Sequence, residues 1–522
     1  MSWAVVRTRV SRLLAVFMAL LVVFTVTQVG LDEFLDVIQI PLQSREEANR
    51  TITLPALKLE RSQPMVAVNR TSTRKPAEPR AIGGRFGSNN PRFHIRSAFR
   101  VSDSEIRLTI AKDYRNKRKL RFEFANSTGD VKLECNLPKC YETYSPRCVV
   151  SGAIGVIRDL RPDDQADAVR VFAADEADAS VEVPVVDVRP KASGEYPHQL
   201  GVCVQPVYLH AEWPVVAQFF EHWLGRGATK FFIYRNSFTH QMDAMLEFYR
   251  SKTNASIELV DWSDLPAEGT STDPNDLWYR LEVMLSILDC LLRARHQVKY
   301  VAQTDLDEFV VLGREDDDLI ALMEELNEKN PRMASASFIS RRAKMPVNFE
   351  NATSSPADLN FRAFGQLSVE NYFFPRPAYT KQIFRPERVT RGHIHVLNGA
   401  ETIPGTTNST YEMVKVFQSQ GYILHVRRVL GTSFKVYTFR NSSLLAPQAE
   451  RWAEAFGRRA ANNSFPSLDW SNAGFELLKT VDKCREEQSK HRQTACMAIA
   501  PCSRQLNTSQ WIRVPNSWFS LL

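Results

Sequence analysis

Between Gly201 and Leu312 the chain alternates short apolar runs with amphipathic helical stretches, and this alternation constrains its fold more than any other feature. Gly201–Leu209, Lys230–Tyr234 and Ile257–Trp262 read as strands, and a fourth begins at Val298. Helices are expected between them at Pro214–Leu224, near Asp243–Tyr249 and at Leu277–Ala294. The first puts Val216, Phe219, Phe220 and Trp223 on one face, opens at a proline and ends at Gly225 and Gly227. The third carries a stripe of Leu281, Met284, Leu285, Leu288 and Leu292. Repeated strand–helix units predict an α/β fold, with a mostly parallel, doubly wound sheet and helices on both faces.

The fourth strand runs into YVAQTDLDEFVVL, Tyr300–Leu312, where an apolar run breaks at three carboxylates. Open α/β sheets bind ligands at the carboxyl ends of their strands, which is where Asp305, Leu306, Asp307 and Glu308 fall. On an extended backbone Asp305 and Asp307 share a face and Glu308 takes the other, so the pair can reach one cation while Glu308 serves as a structural acid. Hard ions such as Mn²⁺ or Mg²⁺ take oxygen ligands, and Mn²⁺ also accepts an imidazole. His395 is the candidate third ligand, with His393 and His425 as alternatives. Such an ion would stabilise the diphosphate leaving a sugar nucleotide, and Lys381 and Arg385 are candidates to neutralise the remaining phosphate charge. Glu350 and Glu370 are candidate bases for an attacking hydroxyl, with neither assigned. Each feature has a plainer reading: a solvated turn, two packed histidines, an exposed basic face. The region holds no glycine fingerprint for a dinucleotide and no phosphate loop. A phosphatase of the Asp-x-Asp type is disfavoured, because the pair follows the fourth strand and Phe309 stands where a small or hydroxyl residue is wanted.

The remaining chain supplies an address. Arg7, Arg9 and Arg12 precede an uncharged stretch, Leu13–Leu31, of about the length that spans a bilayer. The expectation is a cytoplasmic tail at 1–12, a transmembrane signal anchor at 13–31 and a stem at 32–95, with the rest lumenal in the Golgi as a single-pass type II protein. Glycosylation acceptors all lie beyond the apolar stretch, at Asn49, Asn69, Asn126, Asn254, Asn351, Asn408, Asn441, Asn462 and Asn507. Eight cysteines permit disulfides in an oxidising compartment. Cys135, Cys140 and Cys148 cluster before the core and Cys484, Cys496 and Cys502 after it, so local bridging leaves one over in each cluster to meet Cys203 or Cys290 or to stay a thiol. Short alternating runs over 96–195 indicate a small β-rich accessory domain. The core is assigned to 198–430 and a C-terminal extension to 431–522. A net charge of +7 with scattered basic residues argues against nucleic acid as a partner.

CVQPVYLHAEWPVVAQFFEHWLGRGATKFFIYRNS (Cys203–Ser237), DCLLRARHQVKYVAQTDLDEFVVL (Asp289–Leu312), KQIFRPERV (Lys381–Val389) and ILHVRR (Ile423–Arg428) together resemble glycosyltransferase family 92, formerly domain of unknown function 23 and expanded in nematodes. The resemblance implies a GT-A fold with a Rossmann-like sheet and inverting transfer of a hexose. It also implies UDP-galactose as the donor type, Mn²⁺ as the usual ion, and a glycan or glycoprotein acceptor. It places the family's acidic motif on Asp305 and Asp307, while Val426 stands where an aromatic residue is expected. A catalytically silent lumenal glycan-binding protein on the same fold is the alternative.

Overall fold

The computed structural model describes residues 92–521 apart from 138–147, 268–272, 347–354, 430–438 and shorter interruptions at 192, 315–316, 362–363, 365–366, 378, 462, 472–474, 492–494 and 507–510. The expected tail, anchor and most of the stem lie outside the described residues, as do Glu350 and the acceptors Asn49, Asn69, Asn351, Asn462 and Asn507. Asn126, Asn254, Asn408 and Asn441 are described and exposed.

The first seven strands are β1 (Phe93–Ser102), β2 (Glu105–Asp113), β3 (Leu120–Phe124), β4 (Ser127–Cys135), β5 (Val150–Ile157), β6 (Ala168–Ala173) and β7 (Glu176–Asp187). They pair in the order β2-β5-β4-β3-β6-β7-β1, and β1 also pairs with β2, so the sheet closes into a barrel. Alternation explains the closure: Phe122 and Phe124, Ile106, Leu108 and Ile110, and Val169 and Val171 all turn inward and fill the interior.

The second half contains β8 (His198–Val207), α1 (Trp213–Gly225), β9 (Lys230–Arg235), β10 (Ser237–Thr239), α2 (His240–Lys252), β11 (Ser256–Asp261), α3 (Val283–Ala294) and β12 (Val298–Thr304). Next come β13 (Glu308–Leu312), α4 (Leu319–Lys329), β14 (Met333–Phe338), β15 (Ser340–Pro346), β16 (Leu367–Phe373), β17 (Lys381–Phe384), β18 (Val389–Arg391) and β19 (Gly399–Ala400). The chain closes with β20 (Glu412–Lys415), β21 (Gly421–Val429), β22 (Phe439–Ser442), α5 (Ala446–Ala460), α6 (Phe475–Lys490), β23 (Trp511–Arg513) and β24 (Phe519–Leu521).

The expectation of a mostly parallel sheet is corrected. In the seven-stranded sheet β11, β9, β8 and β12 run parallel as neighbours, β17 then joins antiparallel to both β12 and β14, and β20 lies parallel to β14. A further five-stranded sheet, β13-β21-β15-β16-β22, is mixed, and the closed barrel is largely antiparallel. The strand–helix alternation holds as far as β12. Beyond it, short strands such as Lys381–Phe384 are joined by loops with too little periodicity to declare their direction. The transmembrane helix is likewise not supplied: no helix among the described residues is long and apolar enough to cross a membrane.

The helix expected from Leu277 begins at Val283. Trp278 and Tyr279 instead form bridges to Val150 and Ala498, and Arg280, Leu281 and Glu282 take left-handed φ values of 42°, 58° and 49°. That backbone cannot continue a right-handed helix. One apolar cluster joins Phe99, Ala111 and Ile154 of the barrel to Leu285, Leu288 and Leu292 of α3, so barrel and sheet share a core. Disulfides reinforce this core. Cys148 pairs with Cys496, Cys203 with Cys290 and Cys484 with Cys502, so the two flanking clusters are tied to each other and no described cysteine is free.

Candidate active site

β12 ends at Thr304 in the seven-stranded sheet, and β13 begins at Glu308 in the five-stranded one. Asp305, Leu306 and Asp307 form the turn between the two sheets rather than a continued strand. Glu308 holds that turn from beneath: its Oε2 accepts the backbone N–H of Asp305 at 3.0 Å and lies 3.0 Å from the ammonium of Lys381. The Glu308 carboxyl is pushed up by burial and by the neighbouring Asp305 charge. Lys381 also donates to Asp305 Oδ2 at 3.0 Å, while Asp305 Oδ1 accepts from the Gln205 amide.

His425 enters from β21, whose antiparallel register sets it opposite Glu308. Its Nε2 lies 3.1 Å from Asp307 Oδ2 and its Nδ1 3.6 Å from Glu308 Oε1. Burial works against the charged forms of both partners, but the pairing prevails. Asp307 is brought down to about 2 by His425, Arg427 and Lys381, and His425 is raised by Asp307 and Glu308. Val426 N–H donates to the Asp307 carbonyl at 2.8 Å, a backbone bond that asks for no aromatic side chain.

Asp305, Asp307 and His425 line a cavity of about 530 Å³ together with Gln205, Gln218, Arg280, Arg427 and the α6 residues Asp482, Arg485, Glu486 and Ser489. Several residues expected at the site stand elsewhere. Lys381, 3 % exposed, lies under the turn as its internal counter-ion and not at the cavity surface. Arg385 is four residues on along β17, which runs antiparallel to β12, and so lies toward the opposite end of the sheet. There it pairs with Glu387 at 2.6 Å and its guanidinium sits over the rings of Tyr196 and Tyr300.

His393 and His395 occupy the loop between β18 and β19, not a strand. His395 Nδ1 bonds the Thr380 carbonyl at 2.8 Å, and His393 Nδ1 accepts the N–H of His395 at 3.0 Å. Gly392 starts this loop because it presses on α3, where a Cβ would come within 2.6 Å of the Leu288 nitrogen. Glu370 is buried in β16, with Oε2 unbonded among the described residues, and does not line the cavity.

No group of three or more metal-ligating side chains occurs among the described residues. Asp307 and His425 nevertheless converge on the cavity, and Asp307 keeps 40 % of its side chain exposed. One or two protein ligands suit an ion whose shell is completed by substrate phosphate and water, so this pair fits Mn²⁺ or Mg²⁺ on those terms. Asp305, engaged by an ammonium and an amide, is the poorer ligand.

Gln205 and Arg427 sit within stretches singled out in the sequence, yet only the fold shows that they face the cavity. The α6 wall had no chemical signature in FELLKTVDKCREEQSK beyond Cys484.

Residues 198–456 match the model for glycosyltransferase family 92. No curated protein sequence matches the chain. Among solved structures it is similar to HddC from Yersinia pseudotuberculosis at 9 % identity, covering 44 % of this chain and 93 % of that one, with a TM-score of 0.22. It is also similar to S. aureus TarS 1–349 at 12 % identity, covering 57 % and 73 %, with a TM-score of 0.19. Both likenesses are too slight to bear on the fold. Residues 198–456, which carry the Asp305–Asp307 turn and His425, are a glycosyltransferase family 92 domain.

Proposed function

We propose that this glycosyltransferase moves a hexose, with galactose from UDP-galactose the leading donor, to a glycan acceptor with inversion. The observation that carries the reading is the Asp307–His425 pair at the surface of a cavity of about 530 Å³ within the matched residues. A Mn²⁺ or Mg²⁺ ion on that pair would act as Lewis acid toward the departing diphosphate. Asp305 orients Gln205, and the buried Lys381 keeps the turn from accumulating negative charge where a diphosphate must dock. Arg427 is exposed on the cavity wall and close enough to Asp307 to lower its pKa, so it is the cation placed to meet phosphate. An acceptor hydroxyl must lose a proton as it attacks, and the cavity-lining carboxylates outside the turn are Glu212, Asp482 and Glu486.

Among the described residues, the disulfides Cys148–Cys496, Cys203–Cys290 and Cys484–Cys502 and the exposed acceptors Asn126, Asn254, Asn408 and Asn441 support residence in an oxidising lumen, with the Golgi the compartment proposed.

The test is to incubate the purified chain with Mn²⁺ and a panel of nucleotide sugars, with and without fucosylated N-glycans. Donor-dependent product with inverted anomeric configuration is expected. Glycan binding without hydrolysis or transfer from any donor would replace this reading with that of a silent glycan-binding protein. Within the same assay Arg427→Ala should raise the donor KM about tenfold, the scale of a charge-assisted hydrogen bond. Arg385→Ala should leave it within about twofold, because its ion pair lies toward the other end of β17. Equal effects of the two substitutions would remove Arg427 from the donor site.

A further inference from the structure

We propose that α6, which lies beyond the matched residues, is the acceptor-binding wall of the cavity and selects the acceptor saccharide. The inference rests on the transferase reading for what the cavity does, and on the cavity's own construction for which wall does what.

The cavity has two sides of different character. One is made by strand ends and carries Asp305, Asp307, His425 and Arg427. The other is α6, which contributes Val481, Asp482, Arg485, Glu486 and Ser489. Family membership is carried by residues 198–456, so the helix Phe475–Lys490 is an addition to that domain. It is not a loosely attached one. Cys484 within it is bridged to Cys502, and Cys496 just beyond it is bridged to Cys148 beside the barrel. Cys484 and Val481 are buried in the same apolar cluster as α3, so the polar face of α6 is held toward the cavity.

Charge decides between donor and acceptor. A nucleotide diphosphate is polyanionic, and the exposed carboxylates of Asp482 and Glu486 would repel it. A neutral saccharide meets the opposite situation, because carboxylates and a hydroxyl such as Ser489 accept from and donate to sugar hydroxyls. Arg485 adds donors while its guanidinium lies over the Tyr208 ring, 5.3 Å from the centroid. A further observation asks for a ligand: Gln218, 1 % exposed, lines the same cavity with its Nε2 unbonded among the described residues. A buried amide donor left without a partner is costly, and a hydroxyl of a bound sugar would satisfy it.

The experiment uses the full chain, UDP-galactose with Mn²⁺ and a fucosylated N-glycan, and compares the parent with Glu486→Gln and Arg485→Ala. Glu486 is exposed and its replacement isosteric, so an unchanged unfolding temperature is the control for folding. The acceptor KM should rise about tenfold or more in each variant while the donor KM stays within about twofold. An acceptor KM that does not move, or a loss that falls on the donor KM, overturns the proposal. If the parent turns over no donor, the transferase reading fails by itself. Calorimetric titration with the same glycan then decides the wall: weaker binding by the variants supports it, and equal binding overturns it.

Discussion

Asp307→Asn should lower kcat/KM for transfer by about a thousandfold, in the range seen when a preorganised electrostatic contact to a transition state is lost. The carboxylate is the one member of the turn both exposed to the cavity and paired with an imidazole. Its pKa near 2 keeps it ionised throughout the working range, so the substitution removes a full charge at any pH where the enzyme is assayed. The sign of the linkage follows on both sides: the Asp307 contribution is complete above the ordinary carboxylate pKa and is lost as pH falls toward 2, whereas the His425 contribution is complete below the ordinary imidazole pKa and is lost as pH rises through its raised one. At assay pH the variant should still fold, because Glu308 and Lys381 continue to hold the turn from beneath. Steady-state rates with UDP-galactose, beside a thermal melt, make the check. Retention of more than a tenth of the activity would remove Asp307 from the reaction. Asp305→Asn is the informative companion. It disturbs Lys381 and Gln205 as well, so its effect should appear in the melt and not in rate alone.

The parts of this molecule that the sequence declares are those whose side-chain periodicity and chain direction are both local. Strands and helices from Gly201 to Thr304 are of this kind, because each parallel strand requires the helix that precedes it. Lys381 and Arg385 show where that reading stops. Four residues apart, they look like one basic patch, but β17 is extended and antiparallel to β12, so about 13 Å of strand separates them. One becomes a buried counter-ion and the other an ion pair toward the far end. His393 and His395 are decided by tertiary contact in the same way: the close approach of Gly392 to α3 fixes a loop whose hydrogen bonds engage both rings. The disulfides were illegible for a related reason. Pairing depends on which elements the core brings together, and Cys148 meets Cys496 across a separation of 348 residues.

The same dependence on tertiary contact predicts the largest effect on stability. Asp289→Asn should lower the unfolding free energy by about 3 kcal/mol, the low end of the cost of removing one partner from a buried ion pair. Asp289 on α3 is fully buried and receives Tyr234 Oη at 2.5 Å from β9, Thr109 Oγ1 at 3.0 Å from β2 and Arg293 Nη2 at 3.1 Å. It therefore joins the barrel, the helix and the sheet at one carboxylate. Burial raises its pKa, yet Arg293 and Arg96 outweigh that and hold it below the ordinary value. Its contribution is thus complete above the unfolded carboxylate pKa and fades only as pH falls through the lower folded one. Arg293 keeps Glu258 at 3.2 Å as a second partner, which sets the expected cost at the low end. Tyr234→Phe removes one donor and should cost about 1 kcal/mol. The double variant should cost less than the sum, since Tyr234 and Asp289 share a hydrogen bond. Urea denaturation followed by tryptophan fluorescence measures all three. An Asp289→Asn midpoint equal to the parent's would mean that this carboxylate contributes nothing to joining the barrel and the sheet.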